Sequence, residues 1–234
     1  MMRSSFKLSL ATLSAIVLTS ISSIADDPPA IKKGEKIVFL GDSITHFGER
    51  PKGYITAIKS KLNEKYKDQG IEIIGAGIIG NKVTDLQRRL EKDVLAKKPT
   101  LVVIYIGIND VWHGDKIVAR GTTKEDFEAG LKEIIAKIQA SGARVVLCTP
   151  SVIGEKKPGT NKLDAQLDEY AEISRKVAME SKSTLCDLRK TFQDYLAKNN
   201  ADDKDLGVLT VDRAHLNDAG NKLVADTILS AIDR

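Results

Sequence analysis

The sequence predicts an α/β fold: one domain in which a five-stranded parallel sheet lies between two layers of helices. Three observations predict it. From Lys36 onward short apolar runs alternate with apolar residues at helical spacing. The run Leu101 to Ile106 is apolar throughout apart from the Tyr105 hydroxyl, as a central parallel strand covered on both faces must be. No repeat, low-complexity stretch or linker interrupts the alternation, so the helices read as right-handed crossovers within one sheet.

Each element has its own signal. Ile37-Val38-Phe39-Leu40 is the first strand and ends at Gly41; Tyr54, Ile55, Ile58 and Leu62 follow at helical spacing. Ile71-Glu72-Ile73-Ile74 is the second strand, running into a glycine-rich loop. Val83, Leu86 and Leu90 mark a short helix closed by Lys97-Lys98-Pro99. After the third strand, Val111 to Gly121 reads as an insertion of mixed polarity. Thr122 with Glu125 reads as a capping box, opening a helix with Phe127, Leu131, Ile134, Ile135 and Ile138 on its apolar face. Arg144 to Thr149 is the fourth strand, Pro150 to Lys162 a polar loop, and Leu163, Leu167, Tyr170 and Val177 a helix. Thr184 to Cys186 is the fifth strand. Leu188, Phe192 and Leu196 mark a further helix, and Asn217 caps the last, which carries Leu223, Val224 and Ile228.

Composition excludes several classes. With 42% apolar residues and a formal charge of +4 on 234 residues, the chain has material for a core and no signature of disorder. Two cysteines cannot build a disulfide scaffold; Cys148 and Cys186 both lie in strand-like apolar runs and read as buried free thiols. Aromatics are only 5% and the lysines are scattered among acids, so no nucleic-acid partner is expected. No His-Glu-x-x-His, cysteine pairs or calcium-type acidic loop indicates a metal. Gly75 to Gly80 fits dinucleotide glycine spacing but lacks the preceding nucleotide-binding half, so no cofactor is expected.

The first 25 residues read as a signal peptide. Arg3 and Lys7 precede an apolar stretch from Leu8 to Ile24, and Ser23-Ile24-Ala25 offers small residues just before Asp26-Asp27. The expectation is an exported protein, periplasmic or secreted, with a mature domain at 26–234 and no stable membrane insertion. Loss of Arg3 and Lys7 lowers the net charge to +2.

Parallel sheets bind ligands at the carboxyl ends of their strands, and the unusual residues gather there. Gly41-Asp42-Ser43 follows the first strand, Gly80-Asn81 ends the loop after the second, and Gly107-Ile108-Asn109-Asp110 follows the third; Asp212-Arg213-Ala214-His215 precedes the last helix. A serine hydroxyl becomes a good nucleophile when a base accepts its proton, and an acid beside that base fixes its tautomer. Ser43, His215 and Asp212 are the residues of those types. Asn109 supplies neutral N–H donors where an aspartate could only accept, and glycine at 80 allows a positive φ or a close backbone approach.

In order and in position, these blocks resemble the SGNH hydrolase superfamily, also called the GDSL esterases, over roughly Lys36 to the C-terminus. Its lettered residues match Ser43, Gly80, Asn109 and His215, and the stretch DRAHLNDAG from Asp212 to Gly220 is especially similar. Gly75 stands where many members have Asn early in the second block. The resemblance implies a flavodoxin-like three-layer sandwich and ester hydrolysis through an acyl-serine intermediate. It also implies an oxyanion hole of the Ser43 and Gly80 backbone N–H groups and the Asn109 amide. His46, Trp112 and His113, just beyond strand ends, are candidate substrate contacts, with Trp112 a platform for a sugar. Export and the absence of a long apolar lid favour a carbohydrate O-acetylesterase acting on a small-molecule or polysaccharide ester. The alternatives are a lysophospholipase or short-chain acyl ester or thioester hydrolase, and a non-catalytic carbohydrate-binding homologue.

Overall fold

The computed structural model describes Met1, residues 31–116 and residues 121–233. The expected signal peptide therefore lies outside the described residues, as do positions 117–120 of the expected insertion. Five strands, β1 (Lys36–Gly41), β2 (Glu72–Gly77), β3 (Leu101–Tyr105), β4 (Arg144–Cys148) and β5 (Thr184–Cys186), form one parallel sheet in the order β2-β1-β3-β4-β5. β1 and β3 are the most deeply buried, because helices cover both faces. The helices are α1 (Ser43–Gly48), α2 (Tyr54–Lys65), α3 (Val83–Asp93), α4 (Ile108–Lys116), α5 (Lys124–Ala140), α6 (Asp164–Glu180), α7 (Leu188–Asn199) and α8 (Asp218–Ile232). α3, α5 and α6 pack side by side in sequence on one face, and α2 packs against α8 on the other. Among the described residues no helix is long and apolar enough to cross a membrane.

The chain leaves β1 toward β2 on one side and returns to β3 on the other. The crevice between the carboxyl ends of β1 and β3 is therefore the switch point where a doubly wound sheet binds ligands. The five strands match their expected segments closely, as does the apolar face of α5, whose five named residues are all buried. Burial of each such side chain contributes about 1.5–3 kcal/mol. Asn217 caps α8 by accepting from the Gly220 N–H at 2.9 Å, as expected. Cys148 and Cys186 stand opposite each other in the β4–β5 register as buried free thiols.

Three local expectations are corrected. Gly75-Ala76-Gly77 belongs to β2 rather than to a loop. Gly77 is there because α1 lies across this strand end: a Cβ on it would sit 2.1 Å from the His46 backbone nitrogen, whereas one on Gly75 would meet only the movable end of the Glu49 side chain. Gly77 packs a helix against a strand. The N-cap of α5 is Thr123, accepting from Asp126 N at 3.1 Å, while Thr122 is buried one residue earlier. Much of the expected insertion is α4, because Ile108, Val111 and Trp112 recur at helical spacing and turn toward the core.

Candidate active site

Ser43 is the first residue of α1, directly past the end of β1. Asp42 caps that helix, accepting from the Ile44 N–H at 2.9 Å, so Ser43 is released from the capping role a serine often fills here. Ser43 is 5% exposed, and its Oγ lies 2.8 Å from Nε2 of His215. Nδ1 of His215 lies 2.6 Å from Oδ2 of Asp212. With the carboxylate accepting the Nδ1–H, Nε2 keeps its lone pair for the serine proton.

Asp212 is fixed by its own turn. Its Oδ1 accepts from the N–H groups of His215 at 2.8 Å and Ala214 at 3.2 Å, and Arg213 between them takes a positive φ of 83°. Burial alone would raise the Asp212 carboxyl, but the bonds from the His215 ring and these two N–H groups outweigh it and hold the carboxyl below its ordinary value. The acid stays ionised where an imidazolium next to it needs stabilising.

Past the end of β2, Gly80 adopts a φ of +78° with open space where a Cβ would stand, so glycine is required there by conformation and not by crowding. Asn109, 7% exposed in the first turn of α4, donates from Nδ2 to the Asn81 carbonyl at 3.0 Å. The second proton of that amide has only a long contact, 3.4 Å, to Oδ2 of Asp42. Among the described residues the N–H groups of Ser43 and Gly80 carry no hydrogen bond. Asp110 accepts from Val83 N at 3.1 Å and ties α4 to α3. Asp42 and Asp110 are both buried; burial pushes Asp42 up to about 7 and Asp110 up to about 6.

The fold thus brings together Ser43, His215 and Asp212 in one relay, with Gly80 just past the end of β2 and Asn109 just past the end of β3, the latter bonded to Asn81 and at 3.4 Å to Asp42. The three candidate substrate contacts are more dispersed. His46 is exposed, and its ring meets Phe47 edge-on at 5.4 Å. Trp112 is half-buried and packs on the core from α4, with His113 half-buried beside it. A cleft of about 330 Å³ opens against His215, lined by Phe47, Arg50, Val211 and Leu216 among others, and His46, Trp112 and His113 do not line it. The Phe47 ring is 5.3 Å from the His215 ring, and the Arg50 guanidinium lies 4.1 Å over its centre.

Two residues that sequence reasoning passed over hold these groups in place. Arg89 of α3 donates to the Asn81 side chain (2.7 Å), the Gly41 carbonyl (2.8 Å) and Asp93 (3.1 Å). Glu155, fully buried in the 150–162 loop, accepts from the backbone N–H groups of Val208, Leu209 and Thr210 just before Asp212. The only sequence signals available were an arginine at the fourth position before Asp93 and a single acid in a polar loop.

A serine hydroxyl bonded to an imidazole that is bonded to a carboxylate, at the switch point of a parallel sheet, is the arrangement of a serine hydrolase. The chain belongs to the GDSL-like Lipase/Acylhydrolase family, whose model matches residues 39–223. It is similar to the acetylxylan esterase of Geobacillus stearothermophilus, 32% identical over 218 residues that cover 86% of this chain and 95% of that protein. It is also similar to an acetylxylan esterase of Xylanibacter ruminicola, 31% identical over 84% of this chain but 43% of that longer protein. Among solved structures, the acetyl xylan esterase AlAXEase is 47% identical, with a TM-score of 0.81 over 84% of this chain and 99% of that one. The Geobacillus enzyme Axe2 superposes with a TM-score of 0.77 at 30% identity over 86% and 95% of the two chains. Further Axe2 structures are catalytic mutants with alanine for a serine, an aspartate or a histidine, and its aspartate and histidine are three positions apart, like Asp212 and His215.

Proposed function

We propose that the protein is a carbohydrate O-acetylesterase in which Ser43 is the nucleophile, His215 the general base and acid, and Asp212 the residue that orients His215. The observation that carries the reading is the relay of 2.8 and 2.6 Å from Ser43 through His215 to Asp212. Its substrate class rests on the acetylxylan esterases to which the chain is similar along most of its length.

The chemistry follows from the positions. Nε2 of His215 takes the Ser43 proton as Oγ attacks the acetyl carbonyl, and Asp212 stabilises the imidazolium. Negative charge develops on the carbonyl oxygen, where the Ser43 and Gly80 N–H groups and the second Asn109 amide proton can meet it without reorganisation. Collapse expels the sugar oxygen, which takes the proton back from His215, so the leaving sugar departs on the His215 side. The cleft against His215 offers room there. Water, activated by the same imidazole, then releases acetate and frees Ser43.

The test is a series of aryl esters from acetyl to octanoyl beside acetylated xylan. The reading expects kcat/KM to fall steeply with acyl length, acetate to be released from the polymer, and both activities to vanish in Ser43→Ala. Higher efficiency on octanoyl than on acetyl esters would move the assignment to a lipid or other acyl ester hydrolase. We further propose that residues 1–25 are a removable leader and that the enzyme works outside the cytoplasm. N-terminal sequencing of the protein recovered from its native host should begin at Asp26; a retained Met1 would contradict this.

A further inference from the structure

We propose that Arg89 is a positioning residue for the oxyanion site, through which one guanidinium sets the spacing of all three donors. The argument starts from its fork. Arg89 is half-buried on α3 with its side chain 12% exposed, and its three nitrogens reach three different acceptors. Asp93, one helical turn on, compensates the charge and leaves Nε and the second terminal nitrogen directed at the site.

Each of those two bonds ends one step from a donor. The Gly41 carbonyl, at 2.8 Å, belongs to the last residue of β1, two positions before Ser43. The same carbonyl accepts from Ile78 N at 3.2 Å, so the loop carrying Gly80 meets the β1 end at this point. The Asn81 side chain, at 2.7 Å, belongs to the residue after Gly80, and the Asn81 backbone carbonyl accepts from Nδ2 of Asn109 at 3.0 Å. Ser43 N, Gly80 N and Asn109 Nδ2 come from the ends of three separate strands, and Arg89 bonds to both the Ser43 and the Gly80 segments from outside the donor set, whereas Asn109, which reaches Asn81 and at 3.4 Å Asp42, is itself one of the donors. A planar fork with fixed donor directions suits this task; a lysine presents its three donors from a single nitrogen and has no such fork. Gly80, at φ +78°, has no side chain and only open space where a Cβ would stand, so the direction of its N–H depends on how the backbone on either side is held.

Arg89 does not touch the reacting atoms, so its loss should act on the transition state through donor placement, where displacement by about 1 Å costs on the order of 100-fold. The inference rests on the oxyanion reading of Ser43, Gly80 and Asn109. The experiment measures kcat and KM on an aryl acetate for Arg89→Ala, Arg89→Lys, Asn81→Ala and Asn109→Ala. It also measures inhibition by a small alkyl boronic acid, which forms a tetrahedral adduct on a nucleophilic serine.

The expected result is a kcat lowered about 10- to 100-fold in Arg89→Ala with KM within about threefold, and boronate affinity weakened in step. Arg89→Lys should fail to restore kcat, Asn81→Ala should lose several-fold, and added methylguanidinium should recover part of the Arg89→Ala deficit. Should Arg89→Ala not fold, Arg89→Lys and Asn81→Ala decide the matter, since each keeps a buried cation in place. Wild-type kcat in folded Arg89→Lys and Asn81→Ala would overturn the proposal, as would a rise in KM with kcat held. If Asn109→Ala itself keeps full kcat, the oxyanion reading fails; if Asn109→Ala is impaired and the Arg89 and Asn81 variants are not, this inference alone fails.

Discussion

The two halves of the site are held by different physics. Ser43, Gly80 and Asn109 sit at or just past the ends of β1, β2 and β3, so the sheet that makes the core also places them. Asp212 and His215 lie between α7 and α8 in a stretch whose only pairing is the isolated bridge between Thr210 and Leu216. That stretch is held from outside: by the Glu155 carboxylate on three consecutive N–H groups, by the Gly154 N–H on the Arg213 carbonyl at 2.8 Å, and by the Asn200 amide on the Glu155 and Lys204 carbonyls. The Ser43 side should therefore be as stable as the fold, whereas the His215 side should be separable from it.

Glu155→Ala should break the comparison most visibly. It strands three backbone donors, at about 1–2 kcal/mol each, so a loss of roughly 3–6 kcal/mol is expected. In native-state hydrogen exchange residues 205–216 should lose protection while amides of β1 and β3 keep theirs; equal loss in both would show that the halves are not held independently. Gly77→Ala strikes the other half. Its Cβ would fall 2.1 Å from His46 N, backbone against backbone, and about 3 kcal/mol or more should be lost together with the seat of α1. Gly80→Ala, three residues on, meets open space and only the cost of a positive φ, about 1–2 kcal/mol, so its effect should fall on kcat more than on the urea midpoint. A larger loss of stability in Gly80→Ala than in Gly77→Ala would contradict the distinction between conformational and steric glycines.

A further expected effect is in pH. Asp42 is raised from 3.8 to about 7, first by burial, with the bond from Ile44 N and the Arg89 charge opposing and Asp110 adding to it. A carboxyl whose value is higher folded than unfolded binds its proton more tightly in the native state. Its contribution is complete below about pH 4 and is lost as pH rises toward 7. Asp42→Asn keeps an acceptor for the Ile44 N–H and removes the titration. Urea midpoints from pH 4 to 8 should show the variant gaining on the wild type as pH rises; parallel curves would mean that Asp42 does not titrate in this range.

The same division explains what the sequence revealed. Strand ends and helix starts are local, so Gly41-Asp42-Ser43 and Asn109-Asp110 could be placed from apolar runs alone, and Asp212 and His215 could be paired by their spacing. The supports are non-local. Arg89 sits in Gln87-Arg88-Arg89-Leu90-Glu91-Lys92, which reads as a solvated helix face until the fold turns one of the two arginines inward. Glu155 lies in a loop without periodicity, and its partners are more than fifty residues away. Gly77 reads as loop because a close helix contact and a tight turn leave the same residue in the sequence. Val111 to Gly121 reads as an insertion because α4 begins on the very residues whose chemistry draws attention to the segment.

The most direct test of the central claim is covalent. Wild-type protein treated with a fluorophosphonate should gain one adduct, and digestion with mass spectrometry should place it on Ser43. Ser43→Ala should take no label, and His215→Ala should label at least about a thousandfold more slowly, because the serine loses its base. A wild-type protein that stays unlabelled, or carries the label on another residue, would contradict the account.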